Sequence, residues 1–77
     1  MVDPAVFTIR VDGRLDASWA EEMGATSISV QVDEGGRSTT TLVTGPLDQA
    51  ALTGLILRLN ALGLPLAYVE CLPASGP

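Results

Sequence analysis

The stretch GPLDQAALTGLILRLNALGLP, residues 45–65, decides the fold, because it describes one complete helix with both ends marked. Asp48 can accept hydrogen bonds from the first free amides, and its charge is favourable at the positive end of the helix dipole. Gly63 is typical of a Schellman ending, and Pro65 prevents the helix from continuing. We therefore predict a helix from Asp48 to Leu62.

The predicted helix has two apolar faces. At about 100° per residue, the broad face is formed by Leu52, Leu55, Ile56, Leu59 and Leu62, and we expect it to pack against a sheet. The narrower face on the opposite side is formed by Ala50, Gly54, Leu57 and Ala61. Its small residues would let another backbone approach closely, so this outer stripe is a candidate oligomer interface. The competing interpretation is an ordinary exposed surface with one tolerated leucine.

Alternation of apolar and polar residues predicts strands on both sides of this helix. The four predicted strands are Val6–Asp12, a segment around Ile28, Val30 and Val32, Arg37–Thr44, and Leu66–Leu72. The pair Gly35-Gly36 is typical of a type I′ hairpin turn. With both glycines at its centre, that turn would place Val30 opposite Thr41.

A short helix is predicted between the first two strands, over Asp16–Gly24. Ser18 and Glu21 have the spacing of a capping box. Trp19 and Met23, four residues apart, would lie one above the other.

The predicted order is strand, short helix, strand, strand, long helix, strand. It indicates an α+β domain over residues 1–72, with 73–77 as a flexible C-terminal tail. The expected fold is ferredoxin-like βαββαβ with a short first helix and a four-stranded antiparallel sheet packed on one long helix. If the first helix is only a structured loop, the alternative is a three-stranded meander followed by helix and strand.

Composition favours a self-associating domain. The chain has 77 residues, one cysteine and no histidine, so it lacks an intramolecular disulfide and the usual ligands of a structural zinc site. A core of this size only just offsets the conformational entropy of folding. Association, expected as a homodimer, is the remaining support.

Charge excludes some partners. The net charge is −5, and the four arginines are scattered rather than clustered. Without a basic stripe, neither nucleic acid nor a membrane surface is an expected partner. Because no apolar signal segment follows Met1, we expect a cytoplasmic protein.

The residue types present offer little catalytic chemistry. Without histidine or lysine, the chain lacks Ser-His and Cys-His pairs and side-chain Schiff bases. Cys71 has no basic neighbour and is expected to be packed or inert. The carboxylates of the first loop match no calcium site, so a solvated acidic rim is the preferred interpretation. We therefore predict no catalytic residue, no cofactor and no metal site.

Trp19 is the residue most suggestive of a binding site. A lone tryptophan on a short helix is most often a core or lid residue, but it can also line an apolar pocket. The candidate pocket consists of Phe7, Trp19, Met23 and Tyr68.

Two segments carry a resemblance to a known group. Residues 13–19, GRLDASW, and residues 42–55, LVTGPLDQAALTGL, resemble a group of short uncharacterised proteins of actinomycetes and Chloroflexi. The DQAAL run at 48–52 is the most specific part. The resemblance implies no particular activity.

Two hypotheses on function follow from these features. The preferred one is a non-catalytic, self-associating domain that binds a partner protein or a small apolar ligand. The alternative is a cofactor-independent enzyme of the small ferredoxin-like monooxygenase or isomerase type. In that case Trp19, Tyr68 and Asp16 would orient a hydrophobic substrate.

Overall fold

The computed structural model describes residues 4–72, which form one antiparallel sheet and its helices. The strands are β1 (Val6–Asp12), β2 (Ala25–Val32), β3 (Ser38–Thr44) and β4 (Leu66–Leu72), in the order β2-β3-β1-β4. The helices are α1 (Ala20–Met23), which directly follows a 3-10 turn over Ala17–Trp19, and α2 (Gln49–Ala61). The tail predicted at 73–77 lies outside the described residues. A four-stranded antiparallel sheet and an α+β content are therefore confirmed.

The predicted ferredoxin-like βαββαβ fold is wrong. Between β1 and β2 the chain forms only a three-residue 3-10 turn and the four-residue α1, so this crossover supplies no full helix to the sheet. Gly24, in the left-handed conformation at φ 68°, ends α1 after a single turn. The alternative meander is also wrong, because β1 pairs with β3 and β4 and not with β2.

The cap of the 3-10 turn also differs from the prediction. The carboxylate of Asp16 accepts a hydrogen bond from the Ser18 amide at 3.2 Å. Ser18 therefore lies inside the turn and does not cap a longer helix, so the capping box with Glu21 is wrong. An aspartate at this place favours a tight local turn, here the 3-10 turn that precedes α1.

The long helix agrees closely with its prediction. The Asp48 carboxylate accepts a hydrogen bond from the Ala51 amide at 2.8 Å. At the other end, the amides of Gly63 and Leu64 donate to the carbonyls of Asn60 and Leu59, both at 3.0 Å, in the Schellman pattern. Both ends of α2 are thus fixed by contacts that the local sequence specifies.

The core lies between α2, α1 and one face of the sheet. It consists of Ile9, Val11, Leu15, Met23, Leu42, Leu55, Leu59 and Leu64. Leu55 and Leu59 confirm the broad face of α2 as its buried side. Leu62 differs, because 45% of this residue remains exposed.

The β2–β3 hairpin has a different register from the predicted one. Val30 lies opposite Thr40, and Ile28 opposite Leu42. The hairpin closes where the Asp33 amide donates to the Arg37 carbonyl at 2.9 Å, so three residues form its loop. Gly36, at φ 81°, occupies the left-handed position of this longer loop. Apolar residues of both strands thereby share the core face.

Candidate functional site

An open groove of about 340 Å³ lies between the loop after β1 and the end of α2. It is lined by Arg14, Leu15, Asp16, Trp19, Leu62 and Leu64. This volume is near the lower end of the roughly 300–1,000 Å³ typical of small-molecule sites. The groove therefore combines an apolar floor with one cationic and one anionic side chain.

The loop that forms one wall of the groove is held by backbone contacts at both ends. The Asp12 amide donates to the carbonyl of Pro65, and the Gly13 amide to that of Ser38, each at 2.9 Å. An added Cβ on Gly13 would lie only 2.7 Å from Leu64 Cδ2. The loop thus packs directly on the segment that follows α2.

A buried threonine on β3 also holds this loop through hydrogen bonds. Thr40 is fully buried, and its hydroxyl accepts a hydrogen bond from the Leu15 amide at 3.0 Å. The hydroxyl also donates to the Gly13 carbonyl at 2.8 Å. The Leu15 amide and the Gly13 carbonyl therefore both have hydrogen-bond partners, and the backbone at Arg14 between them is fixed.

Asp16 is an anion whose charge is already partly satisfied. The hydrogen bond from the Ser18 hydroxyl is the main cause that lowers the pKa of Asp16 below its usual value, and the Ser18 amide and Arg14 add to it. One carboxylate oxygen, Oδ2, accepts both bonds from Ser18. A carboxyl held in this way is a capping group and a poor proton donor.

Arg14 is an exposed groove residue whose guanidinium makes no ion pair within 4 Å among residues 4–72, although its charge helps to lower the pKa of Asp16. Within residues 4–72, the ion pair within 4 Å joins Arg58 to Glu22, at 3.8 Å. Among the arginines of this part of the chain, the side chains of Arg10 and Arg58 make hydrogen bonds, and that of Arg14 makes none. Its guanidinium can therefore contact a bound molecule without first losing a protein partner.

The structure separates the four residues of the predicted pocket. Met23 is buried in the core, and Phe7 and Trp19 are partly buried against it. Tyr68 lies on the other face of the sheet, where the Arg10 guanidinium is 5.1 Å from its ring centre. Only Trp19 of the four lines the groove.

The predicted interface residues all lie exposed on α2. Ala50, Gly54, Leu57 and Ala61 form its outer stripe, and Leu57 is 62% accessible. A Cβ on Gly54 would meet no atom within 4 Å. The stripe is therefore open to a second backbone, and its use as an interface stays a prediction.

Other candidate chemistry is limited in the described part of the chain. Residues 4–72 contain no group of three or more ligand side chains that could hold a metal ion. The free thiol of Cys71 is exposed on the edge strand β4 rather than packed. No helix among these residues is long and apolar enough to cross a membrane.

Sequence reasoning missed most of the groove. The sequence predicts Leu62 on the buried face of α2, and nothing in it places Leu64 in a groove. Arg14 gave no local signal, since one isolated arginine is normal on a surface. The usable sign was indirect: GRLD at 13–16 is a short polar turn with an apolar residue inside it, which indicates a loop folded onto the core.

The fold and groove define a small α+β domain with one open sheet face and a shallow amphipathic groove. Comparison with family models places the chain within a class of proteins without an assigned role. The chain belongs to the DUF8691 family, a domain of unknown function, whose model matches residues 6–70. No curated protein and no solved structure matches the chain.

Proposed function

We propose that this protein is a non-catalytic domain that self-associates as a homodimer and binds a partner protein or a small apolar ligand. The observation that carries the proposal is the exposure of Leu57 along the outer stripe of α2. A leucine flanked by alanine and glycine provides an apolar contact between backbones that can approach closely. The cytoplasmic location and the range in actinomycetes and Chloroflexi are part of this proposal.

The small core gives a physical reason for association. Eight buried apolar residues form the core of the described chain. A domain of this size gains little stability to spare from its own core. Burying Leu57 against a second copy would remove apolar surface from water at about 25 cal/mol per Å². A homodimer would therefore be more stable than two separate chains.

The enzyme alternative has less support. Tyr68 and Trp19, which would orient the substrate together, are on opposite faces of the sheet. Asp16 is engaged by Ser18 through Oδ2. A substrate in the groove would therefore meet no group prepared for proton transfer.

The test is the native mass of the protein measured by light scattering over a concentration series. We expect twice the chain mass of 8.0 kDa. Leu57→Asp introduces a charge into the outer stripe and should give the monomer. Ser29→Asp, which adds the same charge to an exposed position on β2, should leave the dimer intact. A monomeric wild type, or a dimeric Leu57→Asp variant, would overturn the proposal.

A further inference from the structure

We propose that the groove binds a small monocarboxylate with an apolar body. The carboxylate would pair with the guanidinium of Arg14, and the apolar body would lie on Trp19 and Leu62. This inference rests on the ligand-binding part of the proposed function and names the chemical class of the ligand.

Charge provides the first argument. The protein carries nine acidic and four basic residues, yet the arginine in the groove has no ion-pair partner within 4 Å in the described chain. A guanidinium offers two parallel donors that match the two oxygens of a carboxylate. An anionic group is thus the natural partner of Arg14.

Asp16 does not reverse this preference. Its Oδ2 atom accepts two hydrogen bonds from Ser18, which hold the carboxylate toward the 3-10 turn. The ligand carboxylate therefore binds on the Arg14 side of the groove. An amine on the Asp16 side would find Oδ2 already engaged by Ser18, whereas the Arg14 guanidinium makes no hydrogen bond within residues 4–72, so an anionic ligand is favoured over a cationic one.

The apolar surfaces provide the second argument. Trp19 is partly buried against the core, and 45% of Leu62 is accessible. Leu64 completes the floor and is itself almost fully buried. Flat apolar surfaces beside the Arg14 guanidinium suit an aromatic or short aliphatic acid, because the apolar part of such a ligand leaves water on binding.

The rigidity of the groove loop provides the third argument. The hydroxyl of Thr40 and the carbonyls of Ser38 and Pro65 hold the loop that carries Arg14. A wall fixed by buried hydrogen bonds loses little conformational entropy when a ligand binds. The groove can therefore bind a small molecule without first being ordered.

The test uses phenylacetate as the probe. Because Trp19 is the only tryptophan, its fluorescence reports on the groove directly, and amide chemical shifts of residues 13–19 provide a second readout. We expect phenylacetate to bind, and the neutral amide phenylacetamide and the cation phenethylamine to bind about tenfold more weakly or not at all.

Two variants distinguish a direct contact with Arg14 from an effect of the net charge of the protein. Arg14→Gln should weaken phenylacetate binding by about tenfold or more, the equivalent of one charge-assisted hydrogen bond. Arg37→Gln makes the same charge change in the β2–β3 hairpin and should leave the affinity unchanged. No binding of phenylacetate, equal binding of the amide or the amine, or an unaffected Arg14→Gln variant would overturn the inference.

The native mass of the same samples distinguishes this inference from the proposed function. A wild type that dimerises but does not respond to phenylacetate contradicts the groove alone. A wild type that binds phenylacetate as a monomer contradicts self-association alone. Arg14→Gln should keep the wild-type mass, since Arg14 lies outside the outer stripe of α2.

Discussion

Thr40 and Leu15, which are 25 residues apart, are joined by a buried hydrogen bond of 3.0 Å from the Leu15 amide to the Thr40 hydroxyl. The same hydroxyl donates to the Gly13 carbonyl. One side chain on a central strand thus satisfies two backbone groups of the groove loop. This contact fixes the backbone on both sides of Arg14.

Replacing Thr40 by valine should destabilise the protein. Thr40→Val keeps the shape of the side chain but leaves the Leu15 amide and the Gly13 carbonyl without partners. We expect a loss of about 1–3 kcal/mol in the free energy of unfolding, measured by urea denaturation. Thr40→Ser keeps the hydroxyl and should cost only about 0.8 kcal/mol for the lost methyl group. Equal losses in the two variants would contradict the role of the hydroxyl.

The glycines of the β2–β3 hairpin should differ in their tolerance of a side chain. Gly36 has a φ of 81° and open space around it. Gly36→Ala should therefore cause backbone strain but no steric clash, and should lower the free energy of unfolding by about 1–2 kcal/mol. Gly35 has ordinary backbone geometry, and its nearest contact would be at 3.5 Å, so Gly35→Ala should be nearly neutral. Thermal unfolding of both variants measures the difference. Equal costs would instead support a turn with both glycines left-handed.

The long helix could be predicted from the sequence because its signals are local. Asp48 and Gly63 lie next to the amides and carbonyls that they arrange, and the spacing of Leu55 and Leu59 fixes the buried face. None of these contacts depends on distant parts of the chain. The bounds of α2 therefore agree with the predicted bounds to within one residue at each end.

The hairpin register and the groove could not be predicted in the same way. The carboxylate of Asp33 accepts hydrogen bonds from the amides of Gly35 and Arg37, which stabilises a three-residue loop over the expected two-residue turn. The groove requires Arg14 and Leu62, 48 positions apart, to line the same space, and the sequence around each residue does not indicate this. The predicted pocket also joins Tyr68 to Trp19, whereas Tyr68 pairs with Arg10 on the face of the sheet opposite the core.

Arg10 and Tyr68 should interact weakly across the open face of the sheet. The guanidinium lies 5.1 Å from the ring centre, and Arg10 Nε donates to the Thr41 hydroxyl at 3.4 Å. A double-mutant cycle of Arg10→Gln and Tyr68→Leu should give a coupling energy of about 0.5–1 kcal/mol, as for other exposed cation–π pairs. With Tyr68→Phe in place of Tyr68→Leu, the ring remains and the coupling should fall close to zero. Zero coupling in the leucine cycle would contradict the contact.

The Asp16 cap should make stability depend on pH. Hydrogen bonds from Ser18, above all from its hydroxyl, lower the pKa of Asp16 in the folded protein below the usual value of 3.8. A carboxyl with a lowered pKa stabilises the folded protein at pH values above the pKa of the unfolded state. This stabilisation is lost as the pH falls through the pKa of the folded state. Asp16→Ala should therefore unfold at a lower temperature than the wild type at pH 7, and the gap should narrow in acid.

Two further variants isolate the titration of Asp16 from its capping role. Asp16→Asn keeps an oxygen acceptor but does not titrate, so the gap between Asp16→Asn and Asp16→Ala should stay constant with pH. Ser18→Ala removes the strongest cause of the shift and should raise the pKa of Asp16 towards its usual value in an NMR titration. A gap between wild type and Asp16→Ala that is independent of pH would show that Asp16 stabilises the turn without its charge. In that case the ionised carboxylate would have no part in holding the wall of the groove.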